Sequence, residues 1–372
     1  MTLLTIFMAV IAIVILVVIF FKTAPQIGVS ASGVRLEEIQ NSPQFQEGKF
    51  QNSVPTETDF PISKYFKVMY QFVTNTKGRE PEERIETFAF DPEKWASRNE
   101  NEIMLSWFGH STALIKIDGK TILADPVFGE RASMFSFMGP KKFDYSHHMN
   151  VNQLPEIDLV IISHDHYDHL DYPTITQLKD RVKLFYVPLG VASHLESWGV
   201  AADNIATFDW WDEQNLDENI KLTFAPTRHF SGRGLTDKFS TLWGSWVIEG
   251  RAQKMYFSGD SGYFSGFKEI GEKFGEFDLA LIECGAYNKE NWPDIHMLPE
   301  QSVQAALDVK AKIAMPIHWG KFNLALHLWK DPIERFKKAA RSNGLNTHTP
   351  KVGKVLMIPS GYSSDEWWEN YM

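Results

Sequence analysis

The sequence predicts one α/β domain of packed sheets behind a single apolar helix at the amino terminus, and three observations lead to this prediction. Residues 1–21 contain no charged side chain. From Ile103 onward, about ten short apolar and β-branched runs end in polar loops that carry His or Asp. Amphipathic stretches at 299–310 and 333–342 lie between some of these runs. Strands and helices that alternate along one chain are typical of an α/β domain.

The amino-terminal run predicts a transmembrane anchor. Residues 3–21 contain only one polar side chain, Thr5, and a helix of this length spans ~28 Å, close to the hydrocarbon thickness of a bilayer. A cleaved signal peptide and a buried core helix are the alternatives, and residues 29–31 resemble a small-residue cleavage site. Lys22 and Arg35 follow the run, so the positive-inside rule favours a single-pass anchor with the domain in the cytoplasm.

The remaining chain divides into two parts by composition. After the anchor at 1–22, residues 23–102 are rich in Gln, Asn, Ser, Pro and Gly near their start, which predicts a tether and an extension. A short amphipathic helix is predicted within this part, at 61–73. The α/β domain itself is predicted at 103–372.

Charge and cysteine content exclude several classes of protein. The chain carries 37 Lys and Arg against 47 Asp and Glu, a net charge of −10, which argues against a nucleic-acid partner. Its single cysteine excludes a disulfide framework and a Cys-rich zinc finger. We expect this residue, Cys284, to be a core residue at a strand end rather than a nucleophile.

One segment of the chain concentrates metal-ligand chemistry. An apolar strand at 159–162 ends just before His164, His166, Asp168 and His169. Imidazole and carboxylate are ligands of zinc and similar divalent ions. Alternate positions in an extended loop place the first two histidines on one side, and the last two side chains begin a turn, where they can face a second ion.

Three further strand ends carry the same residue types. They are His229 after the strand at 221–226, Asp260 after the strand at 254–258, and His318 after the strand Ile313–Ile317. Rigid strands aim their loop residues at a common point, which a preorganised metal site requires. Each residue alone would also be compatible with a purely structural role.

The combined pattern resembles the metal signature of the metallo-β-lactamase superfamily. The resemblance implies a four-layer αβ/βα sandwich with two divalent ions, zinc being the expected metal, at one edge of the sheets. It implies His164, His166 and His229 as ligands of the first ion and Asp168, His169 and His318 as ligands of the second, with Asp260 bridging both.

Further motifs resemble the N-acylphosphatidylethanolamine-hydrolysing phospholipase D group and its bacterial RomA-like relatives. The motifs lie at 107–112, 125–128, 138–143, 242–246, 285–287 and 318–320. This resemblance implies a zinc-dependent phosphodiesterase that releases phosphatidic acid and an N-acylethanolamine, with a membrane surface as partner. Two ions that share a hydroxide lower its pKa toward neutrality, and that hydroxide is the expected nucleophile.

Other side chains are candidates for roles around the metals. Asp168 would hold a metal and orient the water, and His296, in a loop before a helix, would protonate the leaving oxygen or bind phosphate. His110 and Asp125 are candidates for orienting the metal ligands. Two further candidates for lining the pocket are Tyr287 and His327.

Two other functions stay open at this point. A lactonase or general metallo-hydrolase of a small soluble substrate would use the same metal site, so only the pocket discriminates it from a lipid enzyme. A non-catalytic membrane scaffold is the third hypothesis. The segment 131–142 mixes Met and Phe with Arg and Lys, so it would either contact lipid or act as a lid packed on the domain. A dimer is compatible with the sequence.

Overall fold

The computed structural model describes residues 3–59, 61–97, 102–358 and 366–372. Short 3₁₀ turns occur at Pro25–Ile27, Val151–Gln153, Ala202–Asn204 and Trp367–Asn370. The α-helices in this part of the chain are α1 (Leu3–Thr23), α2 (Val34–Asn41), α3 (Ile62–Thr74), α4 (Pro92–Ala96), α5 (Tyr172–Leu178), α6 (Val191–Ser197), α7 (Gly266–Phe274), α8 (Pro299–Asp308) and α9 (Asp331–Ser342).

The described strands form one small hairpin and two large sheets. The strands are β1 (Phe45–Gln46), β2 (Lys49–Phe50), β3 (Ile103–Trp107), β4 (Ala113–Ile117), β5 (Lys120–Ala124), β6 (Ile157–Ile161), β7 (Val182–Pro188), β8 (Ile205–Phe208), β9 (Glu213–Asn215), β10 (Lys221–Ala225), β11 (Ser245–Glu249), β12 (Lys254–Phe257), β13 (Leu279–Glu283), β14 (Ile313–Ile317), β15 (Asn346–Thr347) and β16 (Val355–Ile358).

Each large sheet has seven described strands and combines antiparallel and parallel pairs. The first has the order β16-β3-β4-β5-β6-β7-β8, and the second has the order β15-β14-β13-β12-β11-β10-β9. In the first sheet the pairs from β5 to β8 are parallel, and in the second the pairs from β12 to β15 are parallel.

Side-chain alternation places these sheets at the centre of four layers. In β4, Ala113 and Ile115 join the main core, whereas Leu114 joins a second core on the opposite face. The second core contains Leu195 of α6, and the main core contains Phe336 of α9. Because both faces of each sheet are covered, most strands away from the β9 and β15 edges are almost continuously apolar. The arrangement is helix, sheet, sheet, helix, which confirms the predicted αβ/βα sandwich.

The sheets bring the polar strand ends to one edge. In the second sheet β10, β12, β13 and β14 run in the same direction, so their carboxyl ends lie together. The carboxyl end of β6 leads into the histidine-rich loop at 164–169. Residues that are far apart in sequence therefore meet at one edge of the sandwich.

The predicted membrane anchor forms the helix α1, but the structure does not support the prediction that it spans a membrane. In the part of the chain that is described, no helix has both the length and the hydropathy needed to cross a bilayer. Residues 1 and 2 and the side chains at 3, 4, 6, 13, 14, 16–18 and 22 lie outside that part. Several described apolar side chains of α1, including Phe7, Ile11 and Ile15, are exposed, whereas Phe20 and Phe21 are partly buried.

The segment predicted as a tether packs against the domain over much of its length. It contains α2 and the β1–β2 hairpin, and Ile39 and Phe50 are buried in the main core. Elements of two to eight residues are too short to show a persistent period in the sequence. The amphipathic helix predicted at 61–73 is α3, Ile62–Thr74. Residues 98–101 of this segment lie outside the described part.

Candidate metal centre

Three histidine nitrogens converge at the edge of the sandwich. His164 Nε2 lies 2.9 Å from His166 Nδ1, and His166 Nδ1 lies 3.3 Å from His229 Nε2. The loop after β6 then turns, because the backbone amides of His169 and Leu170 both donate to the carbonyl of His166. The turn directs the next ligand candidates away from this first cluster.

A second cluster adjoins the first. Asp168 Oδ2 lies 3.3 Å from His318 Nε2 and 3.5 Å from His169 Nε2. Asp260 Oδ2 lies between the clusters, 3.1 Å from His169 Nε2, 3.0 Å from His318 Nε2 and 3.8 Å from both His164 Nε2 and His229 Nε2. The structure thus brings together all seven predicted ligands, with Asp260 in the position that faces both groups.

These residues fit divalent metal ions by chemistry and by their lack of other partners. Among the described residues, buried Asp260 Oδ1 has no hydrogen-bond partner, and buried His169 Nε2 and His318 Nε2 face the carboxylates of Asp168 and Asp260 without hydrogen-bond geometry. Buried polar atoms are rarely left unpaired, and imidazole nitrogen with carboxylate oxygen is a typical zinc donor set. Burial, together with neighbouring histidines, lowers the pKa of His164 and of His229 well below the usual value. A neutral imidazole is the form that binds a metal.

Buried carboxylates interact strongly with the remaining imidazoles. Burial opposes ionisation of Asp260, but the charges of His169 and His318 lower its pKa well below the usual range. Burial would likewise lower the pKa of His318, yet Asp260 and Asp168 raise it to about 10. The two carboxylates therefore favour positive charge at this position.

Asp125 contacts one of the ligand candidates, at the position expected of a side chain that would orient a metal ligand. Its Oδ2 lies 2.6 Å from His169 Nδ1 and accepts a hydrogen bond of 2.5 Å from Ser163 Oγ, while Oδ1 accepts the Ser163 amide at 2.7 Å. The Nδ1 of His229 donates to the carbonyl of Ile295 at 2.8 Å. Such partners fix the ring orientation and tautomer of metal-binding histidines.

His110 lies beside the second cluster. Its Nε2 is 2.8 Å from Asp168 Oδ2, and its ring centroid is 4.0 Å from that of His318. Burial and the charge of His318 lower its pKa to about 3, so a neutral ring faces the carboxylate. The backbones also meet, since the amide of His318 donates to the carbonyl of His110. His110 can therefore hold Asp168 in place.

His296 reaches the site, and it does so with a partner that the sequence analysis missed. Its ring centroid lies 5.1 Å from those of His229 and His318. Its Nδ1 lies 3.2 Å from Oε2 of Glu283, a fully buried residue at the end of β13. Burial raises the pKa of Glu283, although His296 opposes this. Glu283 pairs in register with Ile317, the residue before His318. Its position at a strand end could therefore have indicated that it belongs to the site.

The other predicted pocket residues lie at the periphery. The rings of Tyr287 and His327 stack with centroids 4.5 Å apart, and the Tyr287 hydroxyl donates to Asp331. His327 lines a small cavity together with His318. Cys284 is buried in the main core, and burial raises its pKa well above the usual value. A protonated, buried thiol agrees with the expected core role.

The segment 131–142 combines exposed and packed apolar side chains. Phe137 and Met138 are exposed, whereas Phe135 stacks on Phe20 of α1 with ring centroids 4.9 Å apart. A cavity of about 490 Å³ lies beneath this segment. Its lining includes Phe128, Met134, Phe135 and Tyr167.

Comparison with known proteins identifies the family. Residues 120–319 match the family described as the beta-lactamase superfamily domain. The chain is 35% identical to N-acyl-phosphatidylethanolamine-hydrolyzing phospholipase D 1 of Caenorhabditis elegans over 253 residues, which cover 64% of this chain and 70% of the relative. The chain therefore belongs to the metallo-β-lactamase superfamily of hydrolases. Its relatives include phospholipases of the N-acylphosphatidylethanolamine type.

Other similarities extend over different parts of the chain. It is 38% identical to an uncharacterized protein of Mycobacterium tuberculosis over 352 residues, 93% of this chain and 92% of the relative. It is 49% identical to outer membrane protein RomA of Klebsiella pneumoniae over 104 residues, 28% of this chain and 77% of the relative. The structure of Igni18, a metallo hydrolase from Ignicoccus hospitalis, matches with a TM-score of 0.53 at 18% identity, over 69% of this chain and 98% of that one, which shows the shared fold.

Proposed function

We propose that the protein is a zinc-dependent phosphodiesterase that cleaves N-acylphosphatidylethanolamine to phosphatidic acid and an N-acylethanolamine. The observation that carries this proposal is the pair of adjoining clusters that share Asp260. The relative from Caenorhabditis elegans, whose name gives this activity, supports the choice of substrate. Zinc is proposed because nitrogen and carboxylate donors dominate the site.

In this proposal His164, His166 and His229 would hold the first ion. Asp168, His169 and His318 would hold the second, and Asp260 lies where it could serve both. Bound dications supply an activated water and Lewis acidity for the phosphoryl oxygens. Asp168, held by His110, would orient a water toward phosphorus.

The protein's own side chains account for the departure of the alcohol. Water adds to phosphorus, the bond from phosphorus to the ethanolamine oxygen breaks, and that oxygen needs a proton. The imidazolium form of His296 would supply it: Nδ1–H donates to the Glu283 carboxylate, Nε2–H gives its proton to the leaving oxygen, and the ring is left neutral. Glu283 also accepts the backbone amide of Met297 at 3.0 Å, which fixes the loop that carries His296.

The surface around the site supports a lipid substrate over a small soluble one. The cavity beneath the segment 131–142 has about 490 Å³, within the range of ligand pockets, and its lining combines apolar side chains such as Phe128, Met134 and Phe135 with charged ones such as Arg131 and Arg233. The helix α3 adds an apolar face, and its exposed side chains are Ile62, Tyr65, Phe66, Met69, Tyr70 and Val73.

Hydrogen bonds on either side of α3 connect this apolar face with loops of the metal centre. Before the helix, the amide of Glu57 donates to Asp294, two residues from His296. After it, Arg79 donates to Asn323 at 2.9 Å, in the loop that follows His318. We propose that α3, the exposed side chains of α1 and the segment 131–142 contact the membrane from which the substrate is taken.

A substrate panel tests this function. Zinc-loaded full-length protein is incubated with N-acylphosphatidylethanolamine, phosphatidylcholine and a lactone, and zinc content is measured on the same sample. We expect phosphatidic acid from the first lipid only. Asp260→Asn should lose both activity and zinc, whereas the exposed-site control Asp203→Asn should keep both. Hydrolysis of the lactone alone would assign the protein to the soluble-substrate class instead.

A further inference from the structure

The segment that follows α1 is held by the same side chains that hold the metal-ligand loop. We call residues 25–29 the stem and residues 164–170 the ligand loop. Trp198 Nε1 donates to the carbonyl of Pro25 at 2.7 Å, which places the stem against the end of α6. Ile27 of the stem is buried. Two side chains, Arg233 and His194, then connect the stem with the ligand loop.

Arg233 is the first connection. On one side its Nε and Nη2 donate to the carbonyl of Gln26 at 3.1 and 2.7 Å. On the other side its Nη1 donates to the carbonyls of Asp165 and Leu170, at the two ends of the ligand loop. The guanidinium also lies 4.1 Å from the ring centroid of Tyr167. Arg233 is almost completely buried, so each lost acceptor would leave a charged donor without a partner.

His194 is the second connection. The amide of Val29 donates to His194 Nδ1 at 3.0 Å, so the ring carries its proton on Nε2. That nitrogen lies 3.6 Å from Oδ2 of Asp165, the residue between the ligand candidates His164 and His166. Asp165 is fully buried, and it also accepts the hydroxyl of Thr241 at 2.8 Å. The position of the stem therefore affects the backbone between His164 and His166, two of the ligand candidates for the first ion.

We propose that the stem is a structural part of the metal centre and that Arg233 and His194 are positioning residues that transmit its docking to the ligand loop. The seating of α1 would then set the affinity of the site for metal. With this coupling, the metal centre would be fully formed only when the amino-terminal helix is correctly placed. The inference rests on the proposed metal centre and is independent of the proposed substrate.

Gly28 allows the stem to be disturbed without touching the ligand loop. Its φ is +80°, and a Cβ there would lie 2.1 Å from His194 Nδ1, so Gly28→Ala pushes the imidazole away. Gly48 is a matched control, because its φ is +78° but a Cβ would meet no atom within 4 Å. Gly48→Ala therefore also places a Cβ at a positive φ, but without the collision.

The experiment measures metal affinity on full-length protein in detergent micelles, by competition of zinc with a chelator. It also records the absorption spectrum of the cobalt-substituted protein. We expect Gly28→Ala to weaken zinc binding 10–100-fold and to change the cobalt spectrum, as loss of a supporting partner does at metal sites. Gly48→Ala should match the unmodified protein in both measurements. Equal affinity and identical spectra for the two alanine variants overturn the inference.

A second pair of variants keeps the test informative if Gly28→Ala does not fold. Arg233→Lys keeps the charge but cannot reach both the stem and the loop, whereas Arg35→Lys changes a salt bridge from α2 to Glu196 that does not touch the ligand loop. We expect at least tenfold weaker zinc binding for the first only. Wild-type affinity in Arg233→Lys contradicts the proposal. Since neither readout uses lipid, a wrong substrate would leave both results unchanged.

Discussion

Replacement of Asp125 by Asn tests how the second metal cluster is organised. The carboxylate lies 2.6 Å from His169 Nδ1 and also accepts two hydrogen bonds from Ser163. The amide of Asn can still accept from the Ser163 backbone, but its NH₂ group would face the Nδ1 proton of His169. The imidazole must then move its proton to Nε2, the nitrogen that faces Asp168 and Asp260. That tautomer cannot bind a metal.

The geometry gives the size of the effect. A hydrogen bond to a charged group contributes about 1.5–3 kcal/mol, and ~1.4 kcal/mol corresponds to tenfold in affinity. Asp125→Asn should therefore weaken the binding of one of two zinc ions about 10–100-fold. Isothermal titration of metal-free protein with zinc measures this directly. Asp118→Asn, in the turn between β4 and β5, is the control and should bind both ions normally. Two ions bound to Asp125→Asn with unchanged affinity would refute the reasoning.

Three further predictions concern catalysis, stability and lipid contact. Glu283→Gln should lower kcat 10–100-fold with little change in KM, because the amide orients His296 less well than a carboxylate; an unchanged kcat would remove His296 from the mechanism. Burial lowers the pKa of Lys321 to about 7, so its charged form opposes folding and stability should rise from pH 7 toward pH 10. In Lys321→Met, the free energy of unfolding measured with urea should no longer rise over this pH range. The same dependence on pH in both proteins would contradict the lowered pKa of Lys321. Phe66→Asp on α3 should reduce co-sedimentation with phospholipid vesicles, and undiminished binding would exclude α3 from the membrane contact.

Much of the core architecture could be predicted because its signals are local. The runs predicted at 159–162, 221–226 and Ile313–Ile317 correspond to β6, β10 and β14. Strands buried on both faces appear as continuous apolar runs, which a single sequence shows clearly. The β1–β2 hairpin was missed because it consists of two residues on each strand, and the strands are stabilised by the main core rather than by their own pattern.

The candidate site was likewise predictable where the signal is local in sequence and not where it depends on tertiary contacts. The spacing of His164, His166, Asp168 and His169 is itself a signal, and the strand ends supplied the other three metal candidates. Glu283 and Arg233 were not predicted, because their roles depend on which strand or loop lies beside them in the folded chain. A buried Arg that joins three backbone carbonyls has no sequence pattern of its own. The amino-terminal helix was predicted from hydropathy alone, which does not reveal how its end packs.

The most direct test of the account is the release of phosphatidic acid from N-acylphosphatidylethanolamine as zinc is added stepwise to metal-free protein. If the two clusters each hold one ion and share Asp260, activity should rise to a plateau at two zinc ions per chain. Full activity in the metal-free protein, or no phosphatidic acid at any zinc load, would contradict the account.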